Sequence, residues 1–201
     1  QTLLKQAVAL RQLVATEASY CSSLSIIMDK YLKPLKEFSR NNEEARKSLP
    51  LQVVDAIFRN IAQIHSLHSQ FLQDLESSLD NWPFCYQQVP TLLLRLAGSL
   101  TIYIPYAEEA PSAEETLRFY KQKPPLVSFL TKAYNERRHA ANLPPRAQIP
   151  DLGALLATPY KHIGKIWLAA AAFFNSTPPD SADYLVLADA VAIMGQLRRY
   201  V

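Results

Sequence analysis

Glycine is scarce in this chain, with four in 201 residues, and cysteine is scarcer still, with two. Glycine poverty removes the residue that most tight β turns need, and no segment shows the period-two alternation of a half-buried strand. The two cysteines, Cys21 on a helix seam and Cys85 in a connecting segment, make neither a disulfide framework nor a zinc set, which fits a reducing compartment. No apolar run approaches the roughly 20 residues of a membrane span. The chain also opens at Gln1 without a charged leader or cleavage site. The expectation is a single domain, residues 1–201, excised from a cytoplasmic protein and carrying no transmembrane segment.

Missing motifs exclude further classes. There is no Gly-rich phosphate loop, no nucleophile elbow and no paired-carboxylate segment, so no covalent enzyme chemistry is expected. His65 and His68 share a helix face, but no neighbouring Glu or Cys set completes a coordination shell, so they read as core or interface residues. No metal or cofactor is expected. Aromatic platforms interleaved with Lys and Arg are absent, which argues against nucleic-acid binding.

What the chain has is helical periodicity. Half of it is apolar, and its 14 prolines fall mostly in clusters that punctuate helices. Residues 3–33 read as a first helix stopped near Pro34, followed by a polar connection over 36–48. Ser48 and Pro50 read as the cap and early-turn proline of a long helical segment, straight or bent, over 51–79. Residues 151–174 read as another, capped by Asp151, with Pro159 inside it at a bend. On its polar side Thr158, Lys161, His162 and Lys165 fall in one stripe. A last helix follows, with Asp180 or Ser181 as cap. Charge is uneven: residues 1–117 carry 10 basic and 13 acidic side chains, residues 118–201 carry 11 and 5. Solvated helix faces explain most such asymmetries; a surface for a polar partner is the sharper reading.

One residue breaks the first seam. Leu10, Val14, Glu17, Cys21, Leu24, Met28 and Tyr31 alternate steps of four and three, and Glu17 is the lone carboxylate among them. An ionised Glu in a sealed core must be paired or the seam must open around it. An internal Lys or Arg partner is one solution, an open seam the other.

Three segments, in order, resemble the Dbl-homology domain of Rho-family guanine-nucleotide exchange factors. "LVATEASYCSSL" (13–24) resembles its opening helix; "IFRNIAQIHSLHSQFLQDLE" (57–76) its second region; "LLATPYKHIGKIWLAAAAFFNSTPPDSADY" (155–184) its third. The resemblance implies an all-α, elongated helical bundle whose first helix and late long helix form a groove for GTPase switch regions. Glu17 would then accept hydrogen bonds from switch I out of an open seam. Thr158, Tyr160, Lys161, His162 and Lys165 complete the implied GTPase-binding set, with Tyr160 and His162 shaping selectivity. The partner implied is a Rho-family GTPase (Cdc42, Rac or Rho), and the resemblance is to a divergent member of the fungal bud-site-selection kind, where Cdc42, cell polarity and cortical recruitment through flanking regions go together.

The third region departs from the family pattern at the contacts themselves. Thr158 stands where the family carries a Lys before the proline, and Lys161 and His162 replace its Gln-Arg pair. Ile166-Trp167 replace a Tyr-Pro, and the family's late Asn falls about one residue beyond Val201. Lys161 and Lys165, one turn apart, can supply the missing cation. If they do not, the chain is a Dbl-homology scaffold that binds a GTPase or another partner without promoting exchange.

Overall fold

The computed structural model describes residues 2–41, 43–83, 88–142 and 148–201, and among them regular structure is helical throughout, with no strand. In chain order the helices are α1 (Thr2–Ile27), α2 (Lys33–Asn41), α3 (Glu43–Ser48), α4 (Leu51–Phe58), α5 (Ile61–Asp80), α6 (Gln88–Ser99), α7 (Tyr103–Glu108), α8 (Ala110–Tyr120), α9 (Pro124–Ala140), α10 (Leu152–Leu156), α11 (Thr158–Asn175) and α12 (Tyr184–Tyr200). Cys85, Pro144 and Pro145 lie outside the described residues.

Several expected boundaries move, each for a local reason. Pro34 does not stop the first helix. A π-helical turn, Met28–Leu32, widens the backbone just ahead of it, and helix resumes as α2 with Pro34 in its first turn. Proline lacks an N–H and crowds the carbonyl four residues back, and a wider turn accommodates both. The polar stretch expected as a connection is therefore mostly helix, α2 and α3. Pro50, rather than Ser48, occupies the position before α4, its carbonyl accepting from Val53 and Val54 N–H.

The long segment expected over 51–79 is two helices. Arg59 takes φ 53°, a left-handed backbone unusual for a residue with a Cβ, and its N–H closes α4 onto the Asp55 carbonyl at 2.7 Å. No glycine or proline marks the break. The segment over 151–174 also divides, at Ala157, so Pro159 sits in the first turn of α11 rather than in a helix interior. There its missing N–H costs nothing. Asp151 caps α10 as expected, accepting from Ala154 N–H at 2.8 Å. That N–H, helped by Lys121 against partial burial, holds the Asp151 carboxyl below its ordinary range. The last helix starts later than expected, at Tyr184 with Asp183 before it.

The chain forms two compact units: residues 1–22, 62–107 and 159–201 make one, residues 23–61 and 108–158 the other. In the second, α4 packs on α2 and α8, and α9 on the π-helical turn. Tyr31, Leu35, Leu49, Val54, Ile57 and Phe58 are buried in its core, and Arg137 donates to Tyr31 Oη and to the Pro150 carbonyl, each at 2.8 Å.

In the first unit α12 packs along α6. Leu10, Leu13, Leu93, Leu96, Ile166, Ala170, Phe173, Leu187 and Met194 are buried there. Gln6 on α1 donates to Thr177 Oγ1 at 3.1 Å, satisfying two buried polar side chains at once. This unit holds most of the residues singled out for function, Glu17 included. Among the described residues no helix is long and apolar enough to cross a membrane.

Candidate functional site

Helical spacing turns three polar residues inward to one point. On α1 the buried positions Leu10, Leu13, Glu17, Tyr20, Cys21 and Leu24 follow steps of three and four, so Glu17 has no freedom to face away. On α5 the series Ile61, Ile64, His68, Phe71 and Leu75 brings His68 into the same interior, while His65 stays half-buried. On α11 the series His162, Ile166, Ala169 and Phe173 does the same for His162. Glu17 and His68 are 0 % exposed and His162 is 3 % exposed.

The seam around Glu17 is therefore closed, against the expectation that it lies open. The physical reason is that both carboxylate oxygens already have partners. His68 Nδ1 meets Oε1, and His162 Nε2 meets Oε2 at 3.0 Å. An ionised carboxylate only accepts, so both nitrogens carry protons. His68 Nε2 in turn meets the Tyr103 hydroxyl at 2.8 Å, and Tyr20 Oη lies 2.8 Å beyond it. Tyr20 also stacks on the His162 ring at 3.7 Å and 11° between planes, and sets its ring edge-on to His68. The internal partner expected as a Lys or Arg is thus a pair of histidines.

Burial would push the Glu17 carboxyl up, but the hydrogen bonds from His162 and His68, and their charge, hold its pKa down at about 2. Burial pushes His162 below its ordinary value, against Glu17, which favours the protonated ring. Tyr20 and Tyr103 are raised, by burial first. Cys21, one turn from Glu17, is pushed up to about 12 by burial and then by the charges of Glu17 and Glu76, so its thiol is inert at neutral pH.

By residue type, Glu17, His68 and His162 could hold a divalent cation, and their ligand atoms lie within 4.8 Å of one another. In the arrangement present those atoms are one another's hydrogen-bond partners, and Tyr103 takes the remaining nitrogen of His68. The arrangement is that of a structural polar network. Sequence reading missed the set because its members are 51 and 145 residues from Glu17.

The other expected site residues separate. Lys161 and Lys165 are exposed, one turn apart on α11, and the charge of Lys165 is felt at His162. His162 leaves the expected polar stripe because it lies on the buried arc with Ile166 and Ala169. Tyr160 is half-buried, donating to the Tyr106 carbonyl at 3.1 Å. Thr158, half-buried, donates to the Leu155 carbonyl at 2.7 Å, a local helix-start bond that leaves it no cationic role. The outward face of α11 thus carries Lys161, Lys165 and Leu168, the last 60 % exposed.

A family model described as the RhoGEF domain matches residues 9–201. Mouse Rho guanine nucleotide exchange factor 38 is 25 % identical over 189 residues, which is 94 % of this chain but 23 % of that protein. A solved DH/PH structure of p115-RhoGEF superposes with a TM-score of 0.78 at 18 % identity, covering 99 % of this chain and 56 % of that one. Autoinhibited Vav1 superposes at 0.77 with 22 % identity, covering 99 % of this chain and 33 % of that one. The chain spans less than a quarter of the length of the curated relative named here.

Proposed function

The chain belongs to the RhoGEF domain family, and from that premise we propose that residues 1–201 act as one guanine-nucleotide exchange domain that binds the switch regions of a Rho-family GTPase and promotes GDP release. The observation that carries the proposal is the layering of α11. It presents Lys161 and Lys165 outward while the next residue, His162, grips Glu17 on α1. The two elements that the family resemblance assigns to the GTPase groove are thereby locked together by a charge-assisted hydrogen bond.

The mechanism involves no covalent step. A domain that binds the nucleotide-free GTPase better than the nucleotide-bound form weakens nucleotide affinity by the same factor, through linkage. A thousandfold acceleration asks for about 4 kcal/mol of differential stabilisation. Two charge-assisted hydrogen bonds at roughly 1.5 to 3 kcal/mol each suffice when shielded from water. Lys165 and Lys161 supply them from the exposed face. Glu17 joins only when the partner's donors replace those of His162, so His162 gates it, and Tyr160 shapes the edge of the groove. The resemblance to the bud-site-selection type favours a Cdc42-like GTPase and a role in cell polarity at the cortex.

A second reading has its own support. Glu17 is fully buried and the family's Lys is Thr158, so a scaffold that binds a GTPase without promoting exchange also fits. Fluorescent GDP release from Rho, Rac and Cdc42, beside binding of each nucleotide-free GTPase, separates the two. Acceleration with at least one supports exchange, binding without acceleration supports the scaffold, and neither binding nor release removes both.

A further inference from the structure

The C-terminal end of α12 carries a feature that the Glu17 network does not use. Trp167 on α11 donates its indole N–H to the Val191 carbonyl at 3.1 Å, which fixes the ring against α12. The fit needs Gly195, since a Cβ there would lie 3.0 Å from the indole nitrogen. Arg198, three residues on, lays its guanidinium over the same ring, 4.1 Å from the ring centre. Its Cδ lies 3.9 Å from where a Cβ on Gly164 would be, so the stem passes across α11 at that glycine. Trp167, Val191, Gly195, Gln196, Arg198 and Arg199 line a cleft of about 350 Å³.

Among the described residues this surface carries cations without an ion-pair partner. Arg198 and Arg199 are exposed, and none of the residues lining the cleft is acidic. Helix α11, which contributes Lys161 and Lys165 on either side of Gly164, contains no Asp or Glu. None of these four cations forms a salt bridge among the described residues. Cations gathered on two packed helices repel one another, and stacking on an indole orients a guanidinium without neutralising it. An arginine so held is pre-organised for an anion it does not yet have, which lowers the entropy lost when that anion arrives.

We propose that the Trp167–Gly195–Arg198 cleft extends the GTPase-binding face from α11 onto α12 and receives an acidic side chain of the bound GTPase, making Arg198 a specificity-determining contact. The inference rests on the exchange reading above. Continuity with Lys165, whose neighbour Gly164 is crossed by the Arg198 stem, places the cleft beside the face already assigned to the GTPase. Charge complementarity selects an acidic occupant, and the planar guanidinium favours a carboxylate that can accept two parallel hydrogen bonds. A GTPase with a neutral or basic residue at that point is disfavoured by the same charges.

The test compares wild type with Arg198→Glu, Arg198→Lys and Trp167→Phe, reading Tm, GDP release, and affinity for nucleotide-free Rho, Rac and Cdc42 at two salt concentrations. Arg198→Glu is expected to keep the wild-type Tm, to lose at least tenfold in affinity and release, and to flatten the salt dependence. Arg198→Lys and Trp167→Phe are expected to fall between, because the charge stays while its orientation loosens. Wild-type affinity and release in Arg198→Glu would overturn the inference while leaving the exchange reading intact. A loss that follows a drop in Tm in all three variants would also overturn it, since it would mark a packing role. Vesicles containing phosphatidylserine supply a further arm: sedimentation lost in Arg198→Glu with GDP release unchanged assigns the cations to a membrane and overturns the proposal. Absence of any GTPase binding by the wild type removes the exchange reading and this inference together.

Discussion

The Glu17 carboxylate on α1 and the His162 ring on α11 are hydrogen-bonded at 3.0 Å across 145 residues of sequence, and both are buried. This bond and its companion from His68 convert an expensive residue into a joint between helices. Truncation exposes the joint. Glu17→Ala strands two buried N–H donors, each costing about 1 to 3 kcal/mol, so the domain is expected to lose about 2 to 6 kcal/mol in chemical denaturation. Glu17→Gln keeps one acceptor and should cost less. A loss under about 0.5 kcal/mol for the alanine variant is incompatible with the network as described, and GDP release per folded molecule then reports any direct role of Glu17.

Acid should weaken the fold over a broad window. The folded-state pKa of Glu17 is about 2 against an ordinary 4.5, so its contribution is fully present above about 4.5 and is lost as pH falls through 2. The His162 ring is lowered from its ordinary 6.5, so the unfolded chain takes up that proton first, and stability also falls as pH drops below about 6.5. Both groups act in the same direction. Tm is expected to decline from about pH 6.5 downward, and His162→Asn should flatten the upper part of the decline. An unchanged profile in that variant would sink the assignment.

Tyr103→Phe removes the hydroxyl that links Tyr20 to His68 without altering the packing of the ring. Two hydrogen bonds disappear at a site with no exposure, and the expected cost is about 1 to 3 kcal/mol. Tyr20→Phe, which removes only the outer hydroxyl, should cost less. Equal Tm shifts for the two variants would show that the chain of hydroxyls does not act as a series.

Gly195→Ala brings a methyl to 3.0 Å from an indole nitrogen that is itself tied to Val191. The ring cannot yield without stretching that bond, so the variant is expected to lose about 1 to 2 kcal/mol despite alanine's better helix propensity. Tryptophan fluorescence should shift with it. A stabilised variant would mean that the ring moves freely.

The all-helical class was legible because seams with steps of three and four run along α1, α5 and α11, and because the prolines cluster between or at the starts of helices. The break at Arg59 was not legible, since left-handed backbone at a non-glycine position leaves no mark in the sequence. Pro159 misled for the opposite reason: it reads as a kink in a long helix, while Ala157 ends one helix and frees the proline to begin the next. Glu17 was found as an anomaly on its seam, but its partners were not. A histidine on an apolar face looks the same whether it fills space or donates to a carboxylate. His162 was assigned outward with its charged neighbours Lys161 and Lys165, although its own spacing to Ile166 and Ala169 marks it as inward.

That adjacency of Lys161 and His162 has an evolutionary side. Consecutive codons here are expected to answer to different selective pressures, since Lys161 is exposed on the proposed GTPase face and His162 is tied to the buried Glu17. A saturation scan should show the contrast column by column: substitutions at 161 leave protein abundance untouched and alter exchange, while those at 162 lower both. A one-residue deletion upstream, between Ala157 and Lys161, would rotate the helix by about 100°, turning His162 toward the direction Lys161 now takes and away from Glu17, and Lys161 toward that of Tyr160. Lineages of this domain are therefore expected to vary freely in which cation they display, while insertions and deletions in that first turn are purged.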